Sequence, residues 1–203
     1  MRTKLFIAAL SLVGCNWTEG RWPGKSALQF RSVSDRVRLN IPGEYRQLTL
    51  AAWVQLHSLS ARQSQSSLCM SQGIQAGGVH WQVLYDGSIC LGMVASSQPK
   101  SVDDYISPIV FTPERFGQWT HLAVVLDQEA QEVRFYVNGK RLSAHPLKRP
   151  ATVAIPAMAE LGNWIPSPNY HGKQLVRNFV GCMDDFMFLA RALKDEEVRQ
   201  VAE

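Results

Sequence analysis

Trp119-Thr120-His121-Leu122-Ala123-Val124-Val125-Leu126 and, a few residues on, Glu132-Val133-Arg134-Phe135-Tyr136-Val137-Asn138-Gly139-Lys140-Arg141-Leu142 decide the fold class. The first run is apolar on both faces of an extended chain, as a strand covered on both sides must be. In the second, Val133, Phe135 and Val137 alternate with Glu132, Arg134 and Tyr136, the period of a strand with one buried face. Asn138-Gly139 tolerates the positive φ angles of a tight turn and so predicts a hairpin into Lys140-Arg141-Leu142.

The same grammar extends in both directions. Residues 48–56 read LTLAAWVQL, with Leu48, Leu50, Ala52, Val54 and Leu56 on one face and Trp53 on the other. Trp81-Gln82-Val83-Leu84-Tyr85 runs into Asp86-Gly87 and out through Ile89-Cys90-Leu91-Gly92-Met93, a second hairpin. Residues 181–189 predict a late strand and residues 193–201 one short helix, with Leu193, Val198 and Val201 able to cover the sheets. Short strands separated by turn signals favour a sandwich or barrel over a βαβ arrangement.

Composition agrees with one globular domain. The 203 residues are 46% hydrophobic and 19% charged with six Trp, enough for a substantial core and too short for two ordinary domains. The net charge of +4 is scattered, with no basic block interleaved with aromatics, so nucleic acid is not a predicted partner. The four Cys, at 15, 69, 90 and 182, form no CxxC pair and keep no metal-ligand spacing to His. Disulfides and buried thiols both remain open for them.

The N-terminus has two readings. Met1-Arg2-Thr3-Lys4 followed by an apolar run ending in Leu12-Val13-Gly14-Cys15 has the form of a bacterial lipobox, in which Cys15 would carry the lipid and anchor the chain without a spanning helix. The same run of Ala, Leu, Ile and Val also suits a strand. The chain accordingly divides into residues 1–14, a lipoprotein signal segment or a truncated first strand, and a domain over residues 15–203.

Ordered blocks then carry a resemblance. Trp22-Pro23-Gly24-Lys25-Ser26-Ala27-Leu28-Gln29-Phe30 with Ser34-Asp35-Arg36-Val37, the strand Leu48-Thr49-Leu50-Ala51-Ala52-Trp53-Val54, the WTHLAVV and YVNG segments, Gly162-Asn163-Trp164, and Gly181-Cys182-Met183-Asp184-Asp185-Phe186 with Arg191-Ala192-Leu193 occur in one order. Together they resemble the laminin-G-like domains of the concanavalin A-like lectin/glucanase kind found in bacterial envelope and FecR-like membrane proteins. The resemblance implies an all-β fold, a two-sheet antiparallel jelly-roll sandwich with one short C-terminal helix. The family's opening strand must fit into residues 1–19, and its helix-start Ser is replaced by Lys194, for which Asp195 is expected to substitute in part.

Sugar-cleaving relatives place clustered carboxylates on one strand face, whereas Asp184 and Asp185 are sequential and on a regular strand point to opposite faces. Residues 20–26 are one residue short of a phosphate loop, no GxSxG or HExxH occurs, and the five His are dispersed. Glycoside hydrolysis is therefore disfavoured. The resemblance implies calcium as a cofactor, with Asp35 and Asp184 at the family's acidic positions; the competing role for these carboxylates is to tie loop amides. Trp164 and Tyr170, in a loop-like Pro-rich stretch, are candidates for stacking on a sugar or else anchor the loop. The expectation is a non-catalytic, extracytoplasmic recognition module of the cell envelope, binding glycan or protein through its loops and touching membrane only through Cys15. Its rival is an architectural or regulatory ectodomain of a membrane-anchored signalling protein without a small ligand.

Overall fold

The computed structural model describes residues 8–59, 65–72, 75–95, 101–155, 158–164 and 177–203. In chain order the strands are β1 (Ala8–Val13), β2 (Asn16–Glu19), β3 (Ser26–Phe30), β4 (Arg36–Asn40), β5 (Glu44–Tyr45), β6 (Gln47–Leu56), β7 (Ser66–Ser71) and β8 (Val79–Val83). They continue as β9 (Ser88–Val94), β10 (Val102–Ile109), β11 (Trp119–Asp127), β12 (Glu132–Val137), β13 (Lys140–Pro146), β14 (Val153–Ala154), β15 (Ala159–Leu161) and β16 (Gly181–Leu189), and the α-helix α1 spans Asp195–Val201.

Two seven-stranded antiparallel sheets face one another. The first runs β1-β4-β15-β7-β8-β9-β10 and the second β13-β12-β11-β6-β16-β3-β2, with β5 and β14 paired separately. The doubly apolar run becomes β11, which pairs with β6 on one side and β12 on the other, as its two-sided pattern predicts. Leu50, Ala52 and Val54 of β6 and Leu122, Val124 and Leu126 of β11 meet Leu68, Trp81 and Leu91 of the opposite sheet in one continuous core. Burying side chains of this size yields roughly 1.5–3 kcal/mol each, which is what holds the sheets together.

Turn chemistry fixes the register. Asn138 (φ 49°) and Gly139 (φ 75°) both take positive φ between β12 and β13, and the Asn138 side chain accepts the His121 N–H at 2.9 Å. Between β8 and β9, Asp86 Oδ1 accepts the Ser88 N–H at 3.0 Å and its hydroxyl at 2.6 Å. Gly162 (φ +80°) lies so close to the Phe30 ring that a side-chain carbon there would stand 2.0 Å from it. That contact ties the closing Gly-Asn-Trp segment to the core.

The two outer faces are covered differently. On the second sheet, Ala51 and Ala123 are small enough to admit α1, whose Val198 packs with Leu193, Val125 and Tyr136. Thr49 joins the helix lead-in from both sides, donating to the Arg191 carbonyl at 2.9 Å and accepting the Leu193 N–H at 3.1 Å. Asp195 does not substitute for the missing cap: it accepts from Tyr136 at 2.7 Å and from Arg141. The Lys194 N–H is taken instead by Glu197 Oε2 at 2.9 Å.

Edges are blunted. Beside β10, Lys148 donates through Nζ to the Asp104 carbonyl and through its backbone N–H to the Tyr105 hydroxyl, both at 2.9 Å, and Pro108 interrupts the strand's own donors.

Candidate functional site

Asp35 sits in the turn between β3 and β4 and is buried. It accepts the Arg31 N–H at 2.7 Å, the Ser32 N–H at 3.0 Å and the Ser32 hydroxyl at 2.7 Å. Burial alone would raise its carboxyl, but these bonds hold it below the ordinary carboxylate range. Asp184 lies elsewhere, opposite Trp53 on the outer face of the second sheet. Met183 is in register with Leu28 of β3, so Asp184 falls near Ala27, at the other end of that strand from Asp35. About four residues of strand, on the order of 13 Å, separate the two rows. The structure therefore does not bring Asp35 and Asp184 onto one ion. Among the described residues, no three His, Cys, Asp or Glu side chains stand together as a metal site.

The alternation expected of Asp184 and Asp185 is broken. Asp185 takes φ 48°, the register shifts between Asp184 and Met187, and Asp184 Oδ1 accepts the Asp185 N–H at 2.9 Å. A β-bulge thus re-aims this acidic pair, which pairing on a regular strand would have sent to opposite faces.

Of the two roles open to Trp164, sugar stacking or anchoring the loop, the structure shows the second, burying it to 4% exposure on the outer face of the first sheet. Its indole N–H donates to the Ser71 carbonyl at 3.0 Å, its ring meets His80 edge-on at 6.1 Å, and the Arg177 guanidinium lies over it at 4.7 Å. Around it is a closed polar layer: Arg177 donates to Gln82 at 2.8 Å, and Arg36 and Arg38 converge on the buried Glu160 at 3.5 and 3.3 Å. Trp164 acts there as an anchor and offers no ring to solvent. Tyr170 lies outside the described residues.

Cys15 follows β1, is partly buried against the core, and has its thiol pushed up to about 11 by burial and by the Asp35 charge. Residues 8–13 pair as β1 with β4, so cleavage before Cys15 would strip that strand from the sheet. All four cysteines are free.

The aromatic surface lies on the hairpin between β2 and β3, which carries the fragment that brushed against a phosphate loop. Gly20 N–H bonds the Lys25 carbonyl at 2.7 Å and Lys25 N–H bonds the Trp22 carbonyl at 3.0 Å, folding the loop back over the outer face of the second sheet. Arg21 is thereby stacked between two indoles, 3.8 Å over Trp53 and 4.3 Å from Trp22, while its Nη2 donates to the Glu203 carbonyl at 2.7 Å. Trp53 meets the His121 ring edge-on at 5.4 Å. Burial, aided by the Arg21 charge, lowers the His121 pKa to about 4, so the imidazole is neutral at ordinary pH. Trp22 remains 51% exposed and Trp17 66% exposed. Asp184 stands beside this stack, its Oδ2 only 3.0 Å from where a side-chain carbon on Gly20 would be. A pinned indole, a guanidinium and the Asp184 carboxylate on one face can stack a ring and exchange hydrogen bonds with it. The one sequence signal for this site was the outward register of Trp53; its pairing with Arg21 lies beyond local pattern.

A two-sheet sandwich with an aromatic, polar outer surface and no assembled metal cluster among the described residues is a lectin-like β-sandwich. The sequence pattern of the concanavalin A-like lectin/glucanases superfamily matches residues 31–199, and the chain belongs to that family. Solved structures of the same fold include the binding domain of Paraclostridial Mosquitocidal Protein 1, at TM-score 0.74 and 14% identity over 97% of this chain and 47% of that one. Domain 4 of AbnA, a GH43 extracellular arabinanase from Geobacillus stearothermophilus, in complex with arabinotriose, is similar at TM-score 0.64 and 18% identity, covering 93% and 81%. The SAP-like pentraxin of Limulus polyphemus matches at TM-score 0.61 and 16% identity, covering 95% and 82%. The chain spans about half the length of the toxin binding domains. No curated protein matches it in sequence.

Proposed function

We propose that the chain is a non-catalytic, extracytoplasmic module that recognises a glycan on the face of Trp22, Arg21 and Asp184. The observation that carries this reading is Trp22: its indole is half exposed yet held from behind by a guanidinium that is itself stacked on Trp53. A sugar stacking on a ring already fixed loses little freedom on binding, and that preorganisation is what converts a modest contact area into affinity. Asp184 accepts sugar hydroxyls, and Arg21 donates to them. The likeness to an arabinanase domain solved with arabinotriose is consistent with a saccharide partner. Placement outside the cytoplasm rests on the resemblance of the ordered sequence blocks to domains of envelope proteins.

Calorimetric titration with arabinotriose and with xylo-, gluco- and galacto-oligosaccharides tests the reading. At least one binds the wild-type chain, and Trp22→Ala weakens it tenfold or more while the melting temperature is unchanged. Silence across the panel, or equal affinity for the variant, contradicts it.

A further inference from the structure

The end of the sandwich formed by β5 and the turn between β11 and β12 holds a cleft of about 620 Å³, a size typical of small-ligand sites. It is lined by the polar Glu44, Arg46, Gln47, Gln128 and Glu129 together with Tyr45 and Ala190. Gln128 is 5% exposed and rigidly held. Its Oε1 accepts the Ala151 N–H at 2.9 Å, and its carbonyl accepts the Gln131 side-chain amide. With Oε1 so engaged, the Nε2 donors find no acceptor among the described residues. A carboxamide fixed on one side and unspent on the other is a preset donor. Glu44, Arg46 and Glu129 are exposed and make no ion pair with the described residues, so two carboxylate acceptors and one guanidinium line the same cleft as that donor. The wall beneath them is rigid: β5 is paired with β14, and the Tyr45 ring packs edge-on against Phe188 at 5.0 Å.

Acceptors and donors of nearly balanced charge, with the buried Tyr45 and the exposed Ala190 as the apolar part of the lining, match a neutral polyhydroxylated ligand better than an ion or a purely apolar one. We infer that this cleft is a second saccharide site that takes one neutral sugar unit or a chain end. Gln128 supplies the fixed donor, and Glu44 and Glu129 take the hydroxyl protons. The inference rests on the glycan reading above. Gln47, at the cleft, and Trp53, under the Trp22 stack, are six residues apart on β6, on the order of 20 Å. A polysaccharide reaching both sites gains effective concentration that a short oligosaccharide does not.

The test uses Gln128→Glu, which keeps an acceptor for the Ala151 N–H and removes the donor, with Glu129→Ala as a second, exposed variant. The probe is the oligosaccharide that binds most tightly in the calorimetric panel, followed through the Gln128 side-chain amide signals in ¹H–¹⁵N spectra where Gln128 is kept and by calorimetry in Gln128→Glu. In the Trp22→Ala background those signals still move on titration, and Gln128→Glu or Glu129→Ala weakens this residual binding about tenfold. If Trp22→Ala abolishes every response, the cleft is not a site and the Trp22 reading stands. If the wild-type chain binds no saccharide, both fall.

Discussion

The outer face of the first sheet and that of the second each carry a tryptophan under an arginine, and the two arrangements do opposite work. Trp164, beneath Arg177, is bonded to a carbonyl on an opposite strand and surrounded by buried polar groups. Trp22, over Arg21, is half exposed with one side backed by the guanidinium. Burial turns the first into a structural rivet, and half-exposure with a fixed backing makes the second a platform. The difference teaches that cation–π stacking by itself says nothing about function; what matters is whether the stack leaves a face in solvent.

The largest effect expected from that contrast is on stability at Trp164. Trp164→Ala removes a buried indole and its hydrogen bond and should cost about 3–5 kcal/mol. For a domain of this size the melting temperature should fall on the order of 10 °C. Chemical denaturation measures it, and a cost under about 1 kcal/mol would erase the distinction between the two faces.

Next comes pH. His121 keeps its proton off in the folded state until about pH 4, whereas an unfolded His titrates near 6.5. The unfolded chain therefore binds the proton first. His121's contribution is intact above pH 6.5 and is lost as pH falls from there through about 4, to a total of about 3 kcal/mol. Unfolding free energies at pH 7 and pH 4 should differ by that much more in the wild type than in His121→Asn. Equal slopes would remove His121 from under the Arg21 stack.

The smallest effect sharpens the covered half of the second sheet. Lys194 caps α1 without a side-chain bond, and Glu197 alone closes the first turn. Lys194→Ser should add about 0.5–1 kcal/mol, read as a small rise in melting temperature with saccharide binding unchanged.

Much of the framework was legible from residue order because its causes are local. Asn138-Gly139 and Asp86-Gly87 dictate their hairpins within four residues, and the apolar runs on β6 and β11 dictate which faces meet. The site was not legible for the converse reason. Trp164 is buried by Ser71 and His80, and Arg21 is trapped by Trp53 and the Glu203 carbonyl, partners far along the chain that only the closed sheets bring near. The bulge at Asp185 was equally hidden, since nothing in Asp-Asp itself announces a positive φ. Asp35 and Asp184 stand at opposite ends of β3, and Asp35 takes the loop-amide role that its position in the turn allowed.

The most direct test of the account follows the indole N–H signals of the chain during titration with the best-binding oligosaccharide. The account predicts that the Trp22 signal shifts progressively while those of Trp164 and the core Trp81 stay fixed. A Trp164 signal that moves while Trp22 does not would contradict it.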